Sequence, residues 1–302
     1  MSRRGWVLFI ALCVIWGIPY LLIRVAVEEL SAPALVFFRT APAALLMAPF
    51  AFRRGALTAV LSTWRWVTAY TVVEIAVPWV LLFHAEQRIS SSLAGLLVAA
   101  VPLIAVVGYR LLGHAEPLDM RRRGGLVIGF VGVAALIGID VSGSDPLAIV
   151  EMFGVACCYA MGPLIISRRL ADLPSLAVVA ASLAITAAVY TTPAMLSLPV
   201  AVSADTVWAV VTLSLVCTVL AFVLFFALIR EVGPARSTVI TYINPLVAVL
   251  LGVALLGEPF TTGIAVGLPL ILLGSVLGTA PSLKGAGRDV AADTQAEARG
   301  AP

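Results

Sequence analysis

Two ionisable residues lie deep inside long apolar runs of this sequence: Arg39 in the second run and Glu74 in the third. A charged side chain at the centre of a bilayer costs about 2.5–3.5 kcal/mol on insertion scales, so such residues usually serve a function. Arg39 could bind a substrate carboxylate, and Glu74 could bind a substrate ammonium or a coupling proton. The alternative is an ion pair between the two that only fixes the helices, because their depths in the two runs are similar.

Aromatic and amide side chains form a second group of candidates. Four aromatic residues lie inside apolar runs, whereas Trp and Tyr usually lie at the membrane interface: Trp16, Trp79, Tyr159 and Tyr242. Their N–H or O–H groups need partners, which favours a substrate cavity, with ordinary helix packing as the alternative. Asn244 precedes Pro245, and proline frees a backbone carbonyl. The Asn244 amide could therefore face substrate or satisfy the kink itself.

Other polar residues are expected to have structural roles. His84 and Glu86 follow the third run and Glu151 begins the sixth, so we expect solvation at the membrane surface. Glu258 precedes a proline and is expected to cap or brace a turn. No spacing of His, Cys, Asp or Glu resembles a metal site, and the sequence predicts no cofactor.

These residues must be positioned by membrane helices. The chain has 302 residues, of which 62% are hydrophobic and 12% charged, whereas globular proteins average about 25% charged. This composition excludes a soluble enzyme and a nucleic-acid-binding protein, and it predicts an all-α polytopic membrane protein in contact with lipid. Apolar runs of near-spanning length occur ten times, at about 6–27, 33–52, 66–83, 92–111, 124–139, 147–166, 176–198, 207–229, 237–256 and 263–279.

Basic residues predict how these runs cross the membrane. Of the 19 Lys and Arg residues, 16 fall in alternate connections or the termini, and the other three are Arg24, Arg39 and Arg88. Because cytoplasmic loops carry an excess of Lys and Arg, both termini are predicted to be cytoplasmic. The polar tail 281–302 is predicted to be disordered.

The chain also repeats itself with opposite orientation. A shift of 143 residues places Pro102 on Pro245 and Trp16 on Tyr159, and it places Arg39 on Ser182. Each half, 6–139 and 147–280, contributes five runs, and an odd number inverts the second half. Inverted repeats are typical of transporters with a substrate site between the halves. Small-residue motifs such as Gly125-x-x-x-Gly129 predict close helix packing within the chain, or alternatively a homodimer interface.

The sequence resembles the drug/metabolite transporter superfamily, specifically the ten-span proteins with two EamA-type domains. The resemblance covers about residues 6–280 and rests on the first run reading Ala11-Leu12-Cys13-Val14-Ile15-Trp16-Gly17, on Phe37-Phe38-Arg39, and on a central proline followed by Glu-Pro in each half. It implies an exporter or permease of amino acids, other small metabolites or drugs in the inner membrane. The second half departs from the pattern, because Tyr159-Ala160 replaces Trp-Gly.

The sequence therefore predicts a secondary transporter, an exporter of amino acids or related small metabolites that works by alternating access. It lacks the Gly-x-x-x-x-Gly-Lys-[Ser/Thr] motif of ATP-binding loops, and a proton is the expected coupling ion. The alternatives are a multidrug or lipophilic-cation exporter of the same fold and a passive metabolite channel. An intramembrane enzyme is disfavoured, since neither His-Glu-x-x-His nor Gly-x-Ser-x-Gly occurs.

Overall fold

The computed structural model describes residues 1–51, 55–111, 119–140 and 145–279, so the predicted disordered tail lies outside the described residues. All regular structure in these ranges is helical. The helices are α1 Arg3–Ile15, α2 Ile18–Ala26, α3 Ala32–Ala51, α4 Ala56–Ser62, α5 Trp64–Thr71, α6 Val77–Glu86, α7 Ser91–Val98, α8 Val101–Leu111, α9 Met120–Asp140, α10 Pro146–Arg169, α11 Ser175–Leu196, α12 Ala204–Ser214, α13 Ala221–Val232, α14 Pro234–Ser237, α15 Ile240–Leu256 and α16 Thr262–Thr279. Two π-helical turns, Val72–Ala76 and Leu215–Leu220, join α5 to α6 and α12 to α13.

Within the described ranges, eight helical segments are long and apolar enough to cross a membrane, which confirms the predicted all-α membrane protein at this level. They are Arg3–Ala26, Ala32–Phe50, Trp64–Glu86, Ser91–Leu111, Pro146–Arg169, Ser175–Leu196, Ala204–Val232 and Thr262–Thr279. Helix α15 is a shorter apolar helix. Helix α9 covers the predicted run 124–139 and begins with three arginines that follow Met120.

The first membrane segment is interrupted between α1 and α2. Trp16 caps the C-terminus of α1, and Pro19 lies in the first turn of α2, where proline is tolerated because its missing N–H has no partner there anyway. Gly17 lies between them against α15, and a Cβ at this position would lie 3.1 Å from the Asn244 carbonyl oxygen and would overlap Val247. Glycine is therefore required for the close approach of the interrupted helix to α15.

The two π turns occupy equivalent positions in the two halves. Adding 143 to the bounds of Val72–Ala76 gives 215–219, and the second turn spans Leu215–Leu220. Pro78 follows the first turn and removes a backbone donor. In the second turn, the Thr218 hydroxyl donates to the Leu213 carbonyl at 2.8 Å, which satisfies a group that the wider turn leaves free. Such turns often occur at functional positions of helices.

Helices of one half pack on their equivalents in the other half. Helix α3 packs along α11, and α9 packs along α16, the two most extensive helix pairs in the described structure. The first residues of α3 and α11, Ala32 and Ser175, differ by 143 in number. The largest apolar core includes Met47, Phe83 and Leu183, so residues from both halves share one interior.

Small residues allow α9 and α16 to approach closely. A Cβ on Gly132 would lie 2.7 Å from Leu270 Cβ, and a Cβ on Gly274 would overlap the backbone of Gly129. The glycine motifs therefore pack within one chain, as the first of the two sequence interpretations states. Contact at this distance resists sliding, because interiors are close-packed and transmit strain.

Hydrogen bonds join several interhelical connections at one end of the molecule. The Ser203 N–H donates to Glu29 at 2.7 Å, and the Ser31 and Ser197 hydroxyls lie 2.6 Å apart. The Gln87 amide reaches the Leu30 carbonyl at 3.5 Å. This end, formed by 27–31, 87–90, 197–203 and 257–261, is called the acidic end below. The backbone N–H of Ser203 and the Thr206 hydroxyl hold the pKa of Glu29 below its usual range.

Candidate functional site

Arg39 lies on α3 and reaches across to the second half of the chain. Its side chain is only 6% exposed, and its Nε donates to the Thr218 hydroxyl at 3.1 Å. Its guanidinium carbon lies 3.8 Å from the centroid of the Trp79 ring and 5.8 Å from that of Phe83. Stacking on an aromatic face stabilises a buried cation. Arg39 is thus held in a defined orientation, while the described part of the chain offers its two Nη atoms no hydrogen-bond acceptor.

Glu74 lies in the first π turn and faces α10. A Cβ on Gly162 would overlap the Glu74 carboxylate, so this glycine leaves the space that the carboxylate occupies. Its Oε2 is buried and has no hydrogen-bond partner among the described residues. Tyr159, Tyr70 and Tyr109 lie within electrostatic range of the carboxylate. The surroundings of Glu74 are therefore aromatic rather than cationic.

The ion pair between Arg39 and Glu74 that the sequence suggested as an alternative does not form. The described ranges contain no salt bridge that joins them, and Glu74 is absent from the charges that act on Arg39. Similar depth in two helices does not fix the direction of the side chains. Arg39 turns toward Trp79 and Thr218, and Glu74 turns toward Gly162.

Tyr159 lies close enough to both Arg39 and Glu74 to interact with each of them. Its hydroxyl lies near the Trp79 side chain and interacts electrostatically with both Glu74 and Arg39. The structure therefore brings together four of the seven predicted site residues, namely Arg39, Glu74, Trp79 and Tyr159. They come from α3, the first π turn, α6 and α10, so two membrane segments of the first half meet one of the second.

Trp16 belongs to an equivalent aromatic pair elsewhere. Its ring centroid lies 4.8 Å from that of Phe225 and 6.0 Å from that of Phe222. Phe222 is the repeat partner of Trp79, since 79 plus 143 is 222, and Trp16 is the partner of Tyr159. The Trp16–Phe222 contact is thus the apolar counterpart of the Tyr159–Trp79 contact. No hydrogen bond or ring contact in the described residues joins Trp16 to Arg39.

Asn244 and Tyr242 hold α15 to its neighbours. With its nitrogen facing two carbonyls, the Asn244 amide donates to Cys13 O at 3.1 Å and to Ile240 O at 2.9 Å. The Tyr242 hydroxyl lies 2.6 Å from the Thr279 hydroxyl, near the end of α16. Both residues therefore have partners within the protein, and the described contacts do not bring them to Arg39 or Glu74.

Two acidic residues expected at the surface are buried, so that part of the sequence interpretation is wrong. Glu86 is 0% exposed and Glu151 is 9% exposed. Glu151 accepts from His84 Nδ1 at 2.7 Å and pairs with Arg88, whose other nitrogen lies 3.2 Å from Asp145. His84, with 46% of its side chain exposed, fits the expectation better. Burial at a helix end depends on which connections cover it, and sequence gives no signal of that.

Glu258 caps α7 of the other half of the chain, whereas the sequence suggested a role in its own turn. Its carboxylate accepts the backbone N–H groups of Ser91 at 2.7 Å and of Ser92 at 3.0 Å, and it also accepts the Ser92 hydroxyl. A carboxylate at a helix N-terminus satisfies free N–H groups and interacts well with the helix dipole. Thr218 was missed altogether, although it follows Cys217, the repeat partner of Glu74.

A family model decides which group of proteins the chain belongs to. The model of the EamA-like transporter family matches residues 3–138 and again residues 146–279. The chain is a member of the EamA-like transporter family. The uncharacterized inner membrane transporter YedA of Escherichia coli K12 is 30% identical over 256 residues, which cover 82% of this chain and 81% of YedA.

Two further proteins match almost the whole chain at lower identity. An uncharacterized transporter of Archaeoglobus fulgidus is 23% identical over 293 residues, covering 93% of this chain and 99% of that protein. A crystal structure with 20% identity superposes with a TM-score of 0.62 and covers 92% of this chain and 97% of that chain. At that identity the likeness shows the fold alone. This EamA protein is therefore a multi-pass transporter of the inner membrane.

Proposed function

We propose that this EamA protein is a secondary-active exporter of amino acids or related small metabolites. The observation that carries the proposal is the separation of Arg39 from Glu74 around one aromatic group. Arg39 keeps two nitrogen atoms without an acceptor, and Glu74 keeps one oxygen without a donor, within the described residues. Trp79 lies against the Arg39 guanidinium, and Tyr159 interacts electrostatically with both Arg39 and Glu74. This arrangement suits a zwitterion, with its carboxylate on Arg39 and its ammonium on Glu74.

The proposed topology is ten membrane spans in two inverted five-helix repeats, 6–139 and 147–280. Helices α9 and α15 would be the remaining two spans beside the eight candidate membrane segments. The distribution of arginines supports cytoplasmic termini, and it makes the acidic end periplasmic. The alternation of basic and acidic connections requires an even number of spans.

Alternating access would occur by rocking of one group of helices against another. The close contact of α9 with α16 favours these two helices as a rigid support, because their backbones are too close to slide. The π turns contain Glu74 and Thr218, the hydrogen-bond partner of Arg39, so a change in either turn would move a side chain of the site. Tyr242, Asn244 and Trp16 would then support the site by fixing α15 and α1.

Counter-flow in proteoliposomes tests the proposal, because a carrier is accelerated by substrate on the opposite side. We expect counter-flow of at least one labelled amino acid, and we expect Arg39→Gln to lose it. Arg169→Gln is a matched control, because Arg169 also lies over a tryptophan, 4.5 Å from the Trp66 ring, but outside the proposed site. Equal loss in both variants would contradict carboxylate binding by Arg39. Absence of counter-flow across all amino acids would contradict the substrate class.

A lipophilic-cation exporter is the second candidate function. Glu74 supports it, because its carboxylate faces Gly162 and tyrosines and has no ion pair within the described residues. A lipophilic cation that raises the melting temperature of the wild-type protein but not of Glu74→Gln would favour this function. Flux of a metabolite without counter-flow would instead favour the passive channel.

A further inference from the structure

Glu86 is a buried carboxyl that the proposed substrate site does not use. It ends α6 at the acidic end and is 0% exposed. Neither of its carboxyl oxygens has a hydrogen-bond partner among the residues that the structure describes. Glu258 and Glu151, by contrast, accept several hydrogen bonds each. Glu86 therefore loses its hydration on burial without gaining hydrogen bonds from the described residues in return.

The charged groups that face Glu86 do not pair with it in this conformation. Arg24, on α2, donates from Nη1 to the Glu86 backbone carbonyl at 2.8 Å rather than to the carboxyl. Arg39, on α3, donates from Nε to Thr218, and its guanidinium stacks on the Trp79 ring. Glu258 and Tyr20 also act electrostatically on this group. Charges of both signs thus surround Glu86, and none makes a salt bridge to it within the described ranges.

An ionised carboxylate does not persist without hydrogen bonds or an ion pair in a protein interior, and the group takes up a proton instead. A route for that proton lies beside Glu86. A cavity of about 340 Å³ at the acidic end is lined by Gln87, the next residue of the chain, and by Arg24 and Glu258. Arg24 therefore borders the cavity and contacts Glu86 at the same time.

We propose that Glu86 is the proton-binding carboxyl of the transport cycle. In the conformation described here it holds a proton. When the acidic end opens, the proton leaves through the cavity, and Arg24 or Arg39 can pair with the carboxylate that remains. This inference rests on the proposed secondary-active mechanism, and it separates the roles of two acidic residues, since Glu74 would bind the substrate cation and Glu86 the coupling proton.

Infrared difference spectroscopy of the purified full-length protein tests the protonation without any substrate. We expect wild type and Glu74→Gln to show the carbonyl band of a protonated carboxylic acid at neutral pH that Glu86→Gln lacks. An identical band in wild type and Glu86→Gln would overturn the proposal. If Glu86→Gln does not fold, Glu86→Asp replaces it: a displaced band supports the proposal, and an unmoved band overturns it.

Transport driven by a pH gradient tests the coupling. Proteoliposomes receive a mixture of labelled amino acids with and without an acid gradient on the periplasmic side. We expect Glu86→Gln to keep exchange at zero gradient and to lose the acceleration that the gradient gives wild type. Gradient-driven acceleration that survives in Glu86→Gln would overturn the assignment. If no amino acid is transported, the proposed substrate class fails, and the infrared result still decides the protonation of Glu86.

Discussion

Arg39 of the first repeat donates a hydrogen bond from Nε to the hydroxyl of Thr218 in the second repeat, at 3.1 Å. The equivalent residues, Ser182 and Ile75, cannot form the same bond, because isoleucine has no polar side-chain atom. The Ser182 hydroxyl is buried without a partner among the described residues. The two repeats thus share π turns at equivalent positions, but only the first carries an arginine at this position. The site is therefore asymmetric.

Removing the hydroxyl of Thr218 should weaken transport. Thr218→Val keeps the shape of the side chain, but it removes the acceptor for Arg39 and the donor to Leu213. A hydrogen bond to a charged group contributes about 1.5–3 kcal/mol, so we expect substrate affinity to fall by about 10- to 100-fold. Thr186→Val is the control, because among the described residues the buried Thr186 hydroxyl bonds only to the Ser182 carbonyl of its own helix. Equal affinity in the two variants would contradict a role for Thr218.

Adding a methyl group at Gly162 should disturb Glu74. A Cβ there would overlap the Glu74 carboxylate, so we expect Gly162→Ala to reduce binding by about tenfold, equivalent to about 1.4 kcal/mol. Gly154→Ala on the same helix is a matched control, since its Cβ would meet only Leu81 Cδ1 at 3.3 Å, the end of a flexible side chain. Binding curves of the two variants check this, and unchanged binding in Gly162→Ala would show that Glu74 can move aside freely.

The contact between α9 and α16 should be sensitive to a single methyl group. In Gly132→Ala the new Cβ would lie 2.8 Å from the backbone nitrogen of Ile271, which cannot move like a side chain. Overpacking of this kind costs about 1–3 kcal/mol, so the melting temperature in detergent should fall. Gly138→Ala lies on the same helix, where the new Cβ would meet no described atom outside that helix within 4 Å, and it should melt no earlier than wild type.

A negative charge in place of the Asn244 amide should lower the stability of the protein. Its amide nitrogen faces the carbonyls of Cys13 and Ile240, so Asn244→Asp would place carboxylate oxygens against two carbonyl oxygens. We expect Asn244→Asp to lower the melting temperature more than Asn244→Ala, which only leaves the carbonyls without a donor, at about 1–3 kcal/mol for an unsatisfied buried group. The reverse order would mean that the amide does not face these carbonyls.

The acidic end should lose a small contribution to stability in acid. Hydrogen bonds from the Ser203 N–H and from Thr206 hold the pKa of Glu29 below the usual glutamate value of 4.5. A lowered pKa in the folded state stabilises the protein above pH 4.5, and this stabilisation disappears as pH falls through the lowered value. Wild type should therefore melt slightly above Glu29→Gln at neutral pH, and the difference should vanish in acid. Glu28→Gln, at an exposed neighbour without a hydrogen bond in the described structure, is the control for the loss of one negative charge at this end.

Sequence alone determined the class of this protein and its internal repeat. A bilayer requires long apolar helices, and a repeat requires equivalent motifs at a constant offset, so composition and spacing carry both signals. The same reasoning identified Arg39, Glu74, Trp79 and Tyr159 as candidates, because polar and ionisable groups are costly inside a membrane. The structure then placed these four residues in one group.

The tertiary structure decided which groups become partners. Arg39 meets Thr218 rather than Glu74, Asn244 is satisfied by carbonyls, and Glu86 is buried without hydrogen bonds among the described residues. None of this follows from position along a helix, because the direction of a side chain depends on helix rotation and on the local widening at each π turn. The burial of a helix end depends on connections distant in sequence, and only the folded chain brings those together.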